Sequence, residues 1–408
     1  MSHAQSKRLR QPLEPAWLVI LGGVSAALHV GKLSPALPAL SADLGVTLLQ
    51  AGFLLSLVQF AGMALGLLIG LTADGLGLKR SMLSGLLVLG MASLLGGWAR
   101  EPAMLLTLRA VEGLGFLLVS MPAPSLIRQL VPPRRMSAML GMWGAYMPLG
   151  TALALLCGPI LIQAMGWQAW WWLLASVSLA MAAWIWRGLP ADHLRHSTQV
   201  AATAAPSAVP GWPARLGETL RNRGPWLVAL SFAAYSGQWL AVIGFLPTIY
   251  AQAGVGAGAT AVLTAGVAAV NMMGNIASGR LLTRGHSPQA LLYTGFTVMA
   301  LGTWLAFTDL AWPAPVRFAG VLLFSMVGGM IPGTLFSQAV RLAPSEHTVS
   351  TTVGWMQQWA ALGQFAGPPL VAWVASLTGG WHWTWVATGA CSLAGLLLAY
   401  RISKERAR

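Results

Sequence analysis

Twelve apolar runs of about 20 residues, the length an α-helix needs to cross a bilayer core, occupy most of this chain. They lie at roughly 15–37, 47–72, 81–99, 103–126, 136–162, 169–187, 225–250, 259–283, 290–308, 315–340, 350–374 and 383–402 of the 408 residues. Only 8% of residues are charged, against about 25% in soluble domains. That excludes disorder and an ordinary soluble domain. The expected fold class is an all-α membrane protein, because helices satisfy their own backbone polar groups in lipid. The first run follows Lys7, Arg8 and Arg10. It is too long for a signal-peptide core and shows no A-x-A cleavage pattern, so it is expected to be retained.

The net charge of +14 would suggest nucleic acid in a soluble chain. Here it sorts by membrane side. Of the 24 Lys and Arg residues, 20 fall on one side: those before run 1, Lys79 and Arg80, Arg128, Arg134 and Arg135, those from Arg187 to Arg223, Arg280 and Arg284, Arg341, and the tail from Arg401. Arg100 and Arg317 lie on the other side; Lys32 and Arg109 lie inside runs. The positive-inside rule then puts both termini in the cytoplasm, and no nucleic-acid partner is expected. The two cysteines, Cys157 and Cys391, lie in apolar runs and indicate neither a disulfide framework nor a metal motif.

A polar stretch at 188–224, rich in Ala, Pro and Arg, reads as a cytoplasmic linker with a short amphipathic helix near 213–223. It divides the chain into an N-terminal bundle of six runs (1–187) and a C-terminal bundle of six (225–408). The halves look like repeats. Arg128, Ser137, Gly141 and Gly150 recur as Arg341, Ser350, Gly354 and Gly363, all at an offset of 213. Each segment continues to a Gly-Pro (Gly158-Pro159; Gly367-Pro368) and a Gly-Trp (Gly166-Trp167; Gly380-Trp381).

Between runs 2 and 3 the chain carries Gly70, Asp74, Gly77, Lys79 and Arg80. Gly70 permits close helix contact, Gly77 makes a turn, and Asp74 can cap span 3 or pair with nearby cations. This loop resembles the G-x-x-x-D-x-x-G-x-[RK]-[RK] gate loop of the major facilitator superfamily. Twelve spans in two pseudo-symmetric six-helix bundles are that family's architecture. Arg109 to Gly113 in run 4 resembles the family's R-x-x-x-G motif, whose arginine takes part in proton coupling in many members. Residues 33–45, following Lys32, are similar to the branch containing cyanate and nitroimidazole permeases. The resemblance implies a secondary transporter of the inner membrane working by alternating access, with a monomeric chain, the lipid bilayer, protons and a small-molecule substrate as its partners and no cofactor.

Polar side chains inside spans are costly and mark paths and partners. They are confined to certain runs: His29 and Lys32 in run 1, Gln59 in run 2, Arg109 and Glu112 in run 4, Gln238 in run 7, Asn271 and Asn275 in run 8, Gln357, Gln358 and Gln364 in run 11. Runs 3, 6, 9 and 12 lack interior ionisable or amide groups and correspond to the family's peripheral helices. In runs 1, 7 and 11 the polar and small residues fall at helical spacing, one stripe per helix. These stripes read as a substrate cavity, comprising His29, Lys32, Gln59, Trp143, Tyr146, Tyr235, Gln238, Asn271, Asn275, Gln357 and Gln364; polar glue between helices is the alternative. Of the 20 Trp residues, Trp170, Trp171, Trp172, Trp381, Trp383 and Trp385 sit at run ends, as interfacial anchors do. Trp143, Trp239, Trp355 and Trp359 lie deeper. Met is frequent, with 18 residues, but no metal substrate is expected.

Glu112 is the one acid inside a run, and Arg109 precedes it by three residues on a neighbouring helix face. Burial and a neighbouring cation pull such a carboxyl in opposite directions, which suits proton coupling; a static pair that fixes span 4 is the alternative. Lys32 and Arg109 against Glu112 leave one excess buried cation, favouring a small anion or weak acid. Lys32 lies about 25 Å along run 1, from where it could also snorkel to water. Exporters of the family often carry G-x8-G-x3-G-P-x2-G-G in span 5. Here the Gly-Pro is displaced to 158–159 and no Gly pair follows, which favours uptake over the alternative of drug or metabolite export. No P-loop, H-E-x-x-H or G-x-S-x-G turn is present, so neither ATP-driven transport nor enzyme activity is expected.

Overall fold

The computed structural model describes residues 14–67, 77–132, 135, 139, 142–192 and 211–405. Among them, eleven helices are long and apolar enough to cross a membrane. One of these, Tyr146–Gly188, has 43 residues and is interrupted at Gly166, whose φ of 83° lies in the left-handed region. The chain reverses there. Before it, Gly150 faces Ala27 and Gly158 faces Pro35, so span 5 runs parallel to span 1. After it, Lys32 sits over Trp171, His29 meets Ser178 and Gly22 faces Ile185, so span 6 runs antiparallel to span 1. The expected twelve spans are therefore present, with spans 5 and 6 joined by a single-residue turn.

Two spans differ from their sequence outlines for the same reason. Span 1 continues to Leu44 and breaks at Lys32, between helices Pro15–Gly31 and Leu33–Leu44. Pro35 and Pro38 lack the N–H groups that would bond to the carbonyls of Gly31 and Ser34, so the ladder cannot run through. Span 4 continues to Leu130 and breaks around Met121-Pro122. Between the bundles, Trp212–Arg221 forms the short helix expected in the linker; residues 193–210 of that linker lie outside the described residues.

Each bundle is held by close backbone approach. A Cβ on Gly150 would lie 2.5 Å from the Cβ of Ala27 and 2.8 Å from the carbonyl oxygen of Val24 in span 1. Its repeat partner Gly363 would place a Cβ 2.3 Å from the carbonyl oxygen of Ala233 in span 7. The same glycine thus seats span 5 on span 1 and span 11 on span 7. Lipid tails give no hydrophobic drive to helix association, so contact area at such crossings does the holding. Between the bundles, span 2 packs on span 11, the hairpin of spans 5 and 6 packs on span 8, and span 7 packs on the Leu33–Leu44 segment of span 1 rather than on Pro15–Gly31. The outer surface is apolar, with Leu87 and Met91 of span 3, Leu301 of span 9 and Leu393 and Leu397 of span 12 exposed.

Replacing Gly363 with Val is expected to cost about 1–3 kcal/mol through overpacking against span 7, read as a lower melting temperature in detergent. Gly389, where a Cβ meets open space, should accept Ala within about 0.5 kcal/mol.

Candidate functional site

The break in span 1 exposes backbone carbonyls inside the bundle, and the guanidinium of Arg109 takes them. It donates to the carbonyls of His29 and Val30 at the last turn before the break, and through Nε to the carbonyl of Leu54 in span 2 at 3.0 Å. The same Nη1 donates to Glu112 Oε2 at 2.6 Å. The other carboxylate oxygen of Glu112 is paired with the ammonium of Lys32. Lys32 also donates to Ser93 of span 3 at 3.0 Å and lies 4.7 Å over the ring of Trp171 in span 6. His29 Nδ1 is 3.8 Å from Glu112, and its Nε2 is 2.7 Å from the hydroxyl of Ser178. Lys32, Arg109 and Glu112 are 0%, 2% and 2% exposed.

One acid, two cations and an imidazole therefore tie together spans 1, 2, 3, 4 and 6. Lys32 does not snorkel: it reaches inward to Glu112. Its own carbonyl accepts from Trp170 Nε1 at 3.2 Å. The cluster is packed shut. A void of about 10 Å³, lined by Leu33, Leu54, Leu105, Leu108 and Trp171, is what touches Arg109 and Glu112. A cavity of about 570 Å³ lies elsewhere, on the apolar faces of spans 7, 11 and 12, and includes none of the residues assigned to the substrate cavity from sequence.

The remaining candidates fall into other groups. Trp143 and Tyr146 stack at 4.1 Å, with Trp143 seated against Gly23 of span 1. In the second bundle, Asn271 donates to the hydroxyl of Tyr235 at 2.9 Å and to the carbonyl of Ser325, and Asn275 donates back to Asn271. Gln238 turns away towards span 12, donating to Ala234 and accepting from Ser392 at 3.0 Å. Gln357 is half-buried on span 11. Gln59 Nε2 and Gln364 Oε1 are buried without a hydrogen-bond partner among the described residues.

In the gate loop, Gly70 and Asp74 lie outside the described residues. Gly77 makes the expected turn with φ 83°. The described cap of span 3 is Asp192, whose carboxylate accepts from the backbone N–H groups of Lys79 and Arg80 at 2.9 and 3.2 Å. Lys79 Nζ donates to the carbonyls of Trp186 and Leu189 at the end of span 6, where a cation suits the helix dipole.

Sequence reasoning missed Ser93, Ser178, Trp170 and Trp171, which complete the cluster from the peripheral spans 3 and 6. Hydroxyls fell outside a search for ionisable and amide groups. Trp170 and Trp171 read as interfacial anchors, yet both are buried, together with Trp167. The signal was available: positions 167, 170 and 171 share one helix face.

The chain is a member of the major facilitator superfamily, whose family model matches residues 19–368. It is therefore a multi-pass membrane transporter. It is 22% identical over 405 residues to the cyanate transport protein CynX of Escherichia coli (strain K12), covering 95% of this chain and 97% of that one. It is 33% identical over 159 residues to the puromycin resistance protein pur8 of Streptomyces alboniger, covering 38% of this chain and 31% of that one. The chain spans less than two thirds of the length of pur8 and of several other curated relatives it matches. Among solved structures, it superposes on a bacterial homologue of the human lysosomal transporter Spinster with a TM-score of 0.73 at 14% identity, over 96% of both chains. That likeness concerns the fold.

Removing one charge from the cluster should cost more than removing a pair. Glu112→Gln leaves Lys32 and Arg109 facing each other in low dielectric and is expected to cost about 3–5 kcal/mol. Adding Lys32→Met to that variant should restore most of the loss. Thermal unfolding of the four members of this cycle in detergent measures the coupling.

Proposed function

We propose that this transporter carries a small organic anion or weak acid into the cell across the inner (cytoplasmic) membrane, driven by protons that pass through Glu112. The observation that carries the reading is the position of Glu112 between Lys32 of span 1 and Arg109 of span 4. With the carboxylate ionised, it neutralises one of two cations and holds both helices. Once protonated, it leaves Lys32 and Arg109 to repel each other, and the strap joining the broken span 1 to spans 2 and 4 slackens. Protonation would thus act on a helix that also packs against the second bundle through its Leu33–Leu44 segment.

The excess cation in this cluster supports an anionic substrate, because a buried charge in low dielectric projects its field over the surrounding path. A relative that covers nearly the whole chain and carries cyanate transport in its name supports the same class. The arginines around the linker and the other short loops on that face support cytoplasmic termini. Export of a drug or metabolite in exchange for protons is the second reading. It is supported by resistance proteins that match part of the chain at higher identity.

In proteoliposomes, Glu112→Gln should abolish accumulation driven by a pH gradient while leaving substrate counterflow intact. Accumulation by the variant would overturn proton coupling at this residue. Lys32→Ala should lose saturable uptake of small acids; an unchanged affinity would remove the anion argument. Flux direction in inverted vesicles separates uptake from export.

A further inference from the structure

Span 2 ends on the linker face with two glycines four residues apart, Gly62 and Gly66, a spacing that lets helices approach closely. Span 11 meets them with small residues of its own. A Cβ on Gly62 would lie 3.1 Å from the Cβ of Ala361, and one on Gly354 would lie 3.5 Å from Leu67. Into this close crossing span 11 inserts one amide side chain. Gln358 Nε2 donates to the carbonyl of Met63 at 2.7 Å, and its Oε1 accepts from the N–H of Leu67 at 3.2 Å. Met63 and Leu67 are four residues apart, so this carbonyl and this N–H are the pair that bond to each other in an α-helix. One side chain of the second bundle thus grips both ends of a helical hydrogen bond in the first.

We propose that Gln358 is a latch at the linker-side crossing of spans 2 and 11, a positioning residue that sets how readily these two helices part during transport. In lipid or protein interior, parting two helices normally orphans the polar groups that joined them, at a cost that would hold the bundles shut. Here the two backbone groups on span 2 lie in a helical segment as each other's helical partners, so they stay satisfied when Gln358 withdraws. The released amide lies on the linker side, where the parting bundles admit water. Neither state leaves a buried backbone group unpaired, so the contact can be strong enough to close the interface and still release it. This inference rests on the chain being a transporter that alternates between two states, and on nothing about its substrate or its coupling to protons.

The test is cross-linking in native membranes, in a background with Cys157 and Cys391 changed to Ser. Gly62→Cys with Ala361→Cys forms a pair close enough for a disulfide after a small shift, and mass spectrometry of the linked peptides follows its oxidation. Gln358→Leu should slow cross-linking about fivefold relative to the parent pair, since two modest hydrogen bonds across the crossing are lost. Gln358→Glu adds a readout that a packing role would not give. A neutral glutamic acid has a donor and an acceptor, as Gln does; the ionised form cannot donate to the Met63 carbonyl. Its cross-linking, normalised to the parent pair at each pH, should be near parental at acidic pH and fall towards the Leu variant as pH rises. Parental rates in Gln358→Leu, or no pH dependence in Gln358→Glu, would overturn the latch. No substrate or proton gradient enters the assay, so its outcome is independent of the Glu112 experiments.

Discussion

Glu112 carries a charge to the middle of a helical bundle, where an isolated ion would cost many kcal/mol. Everything adjacent is arranged around that penalty. Two cations from different spans neutralise it, and three backbone carbonyls accept from three further N–H groups of Arg109. Those carbonyls include two, of His29 and Val30, in the last turn before the interruption of span 1 at Lys32. The broken helix and the buried arginine therefore need each other: the break supplies acceptors that a continuous helix would hide, and the arginine satisfies groups that lipid could not. Lysine at position 109 could not fill the role, because one ammonium cannot reach three carbonyls and a carboxylate at once.

The rest of the architecture is built on small residues. Gly150 and Gly363 occupy equivalent places in the two halves and perform the same task, seating the fifth helix of a bundle on its first. Within a bundle these crossings are shape-matched and dry. Between the bundles such close approaches recur, as where Gly52 meets Pro369, and at Gly62 and Gly66 a polar side chain, Gln358, joins them. A transporter needs both: rigid halves, and a seam that reopens.

Much of this was legible in the sequence, for physical reasons. A bilayer imposes length and polarity so strictly that twelve spans, the even topology and the lipid-facing helices could be read from composition along the chain. The pairing of Arg109 with Glu112 followed from their spacing on one helix. The partnership of Lys32 with Glu112 did not, because it depends on how span 1 breaks and how span 4 is rotated against it. Nor did Ser93 and Ser178, whose hydroxyls are unremarkable in a membrane helix until a charge is placed beside them. The tryptophans at 170 and 171 misled because position near a span end says nothing about which way a ring points. Gln238 and Gln358 had the same residue type and similar depth, and only packing distinguishes a side chain turned to a neighbour in its own bundle from one gripping the other bundle.

Gly166 turns span 5 into span 6 with a single left-handed residue, which leaves no slack between the two helices. Such a hairpin ties its two arms directly together. Its packing partner across the seam is span 8, while its second arm carries Ser178 and Trp171, which touch His29 and Lys32. The hairpin thereby links the seam with span 8 to the groups that surround Glu112.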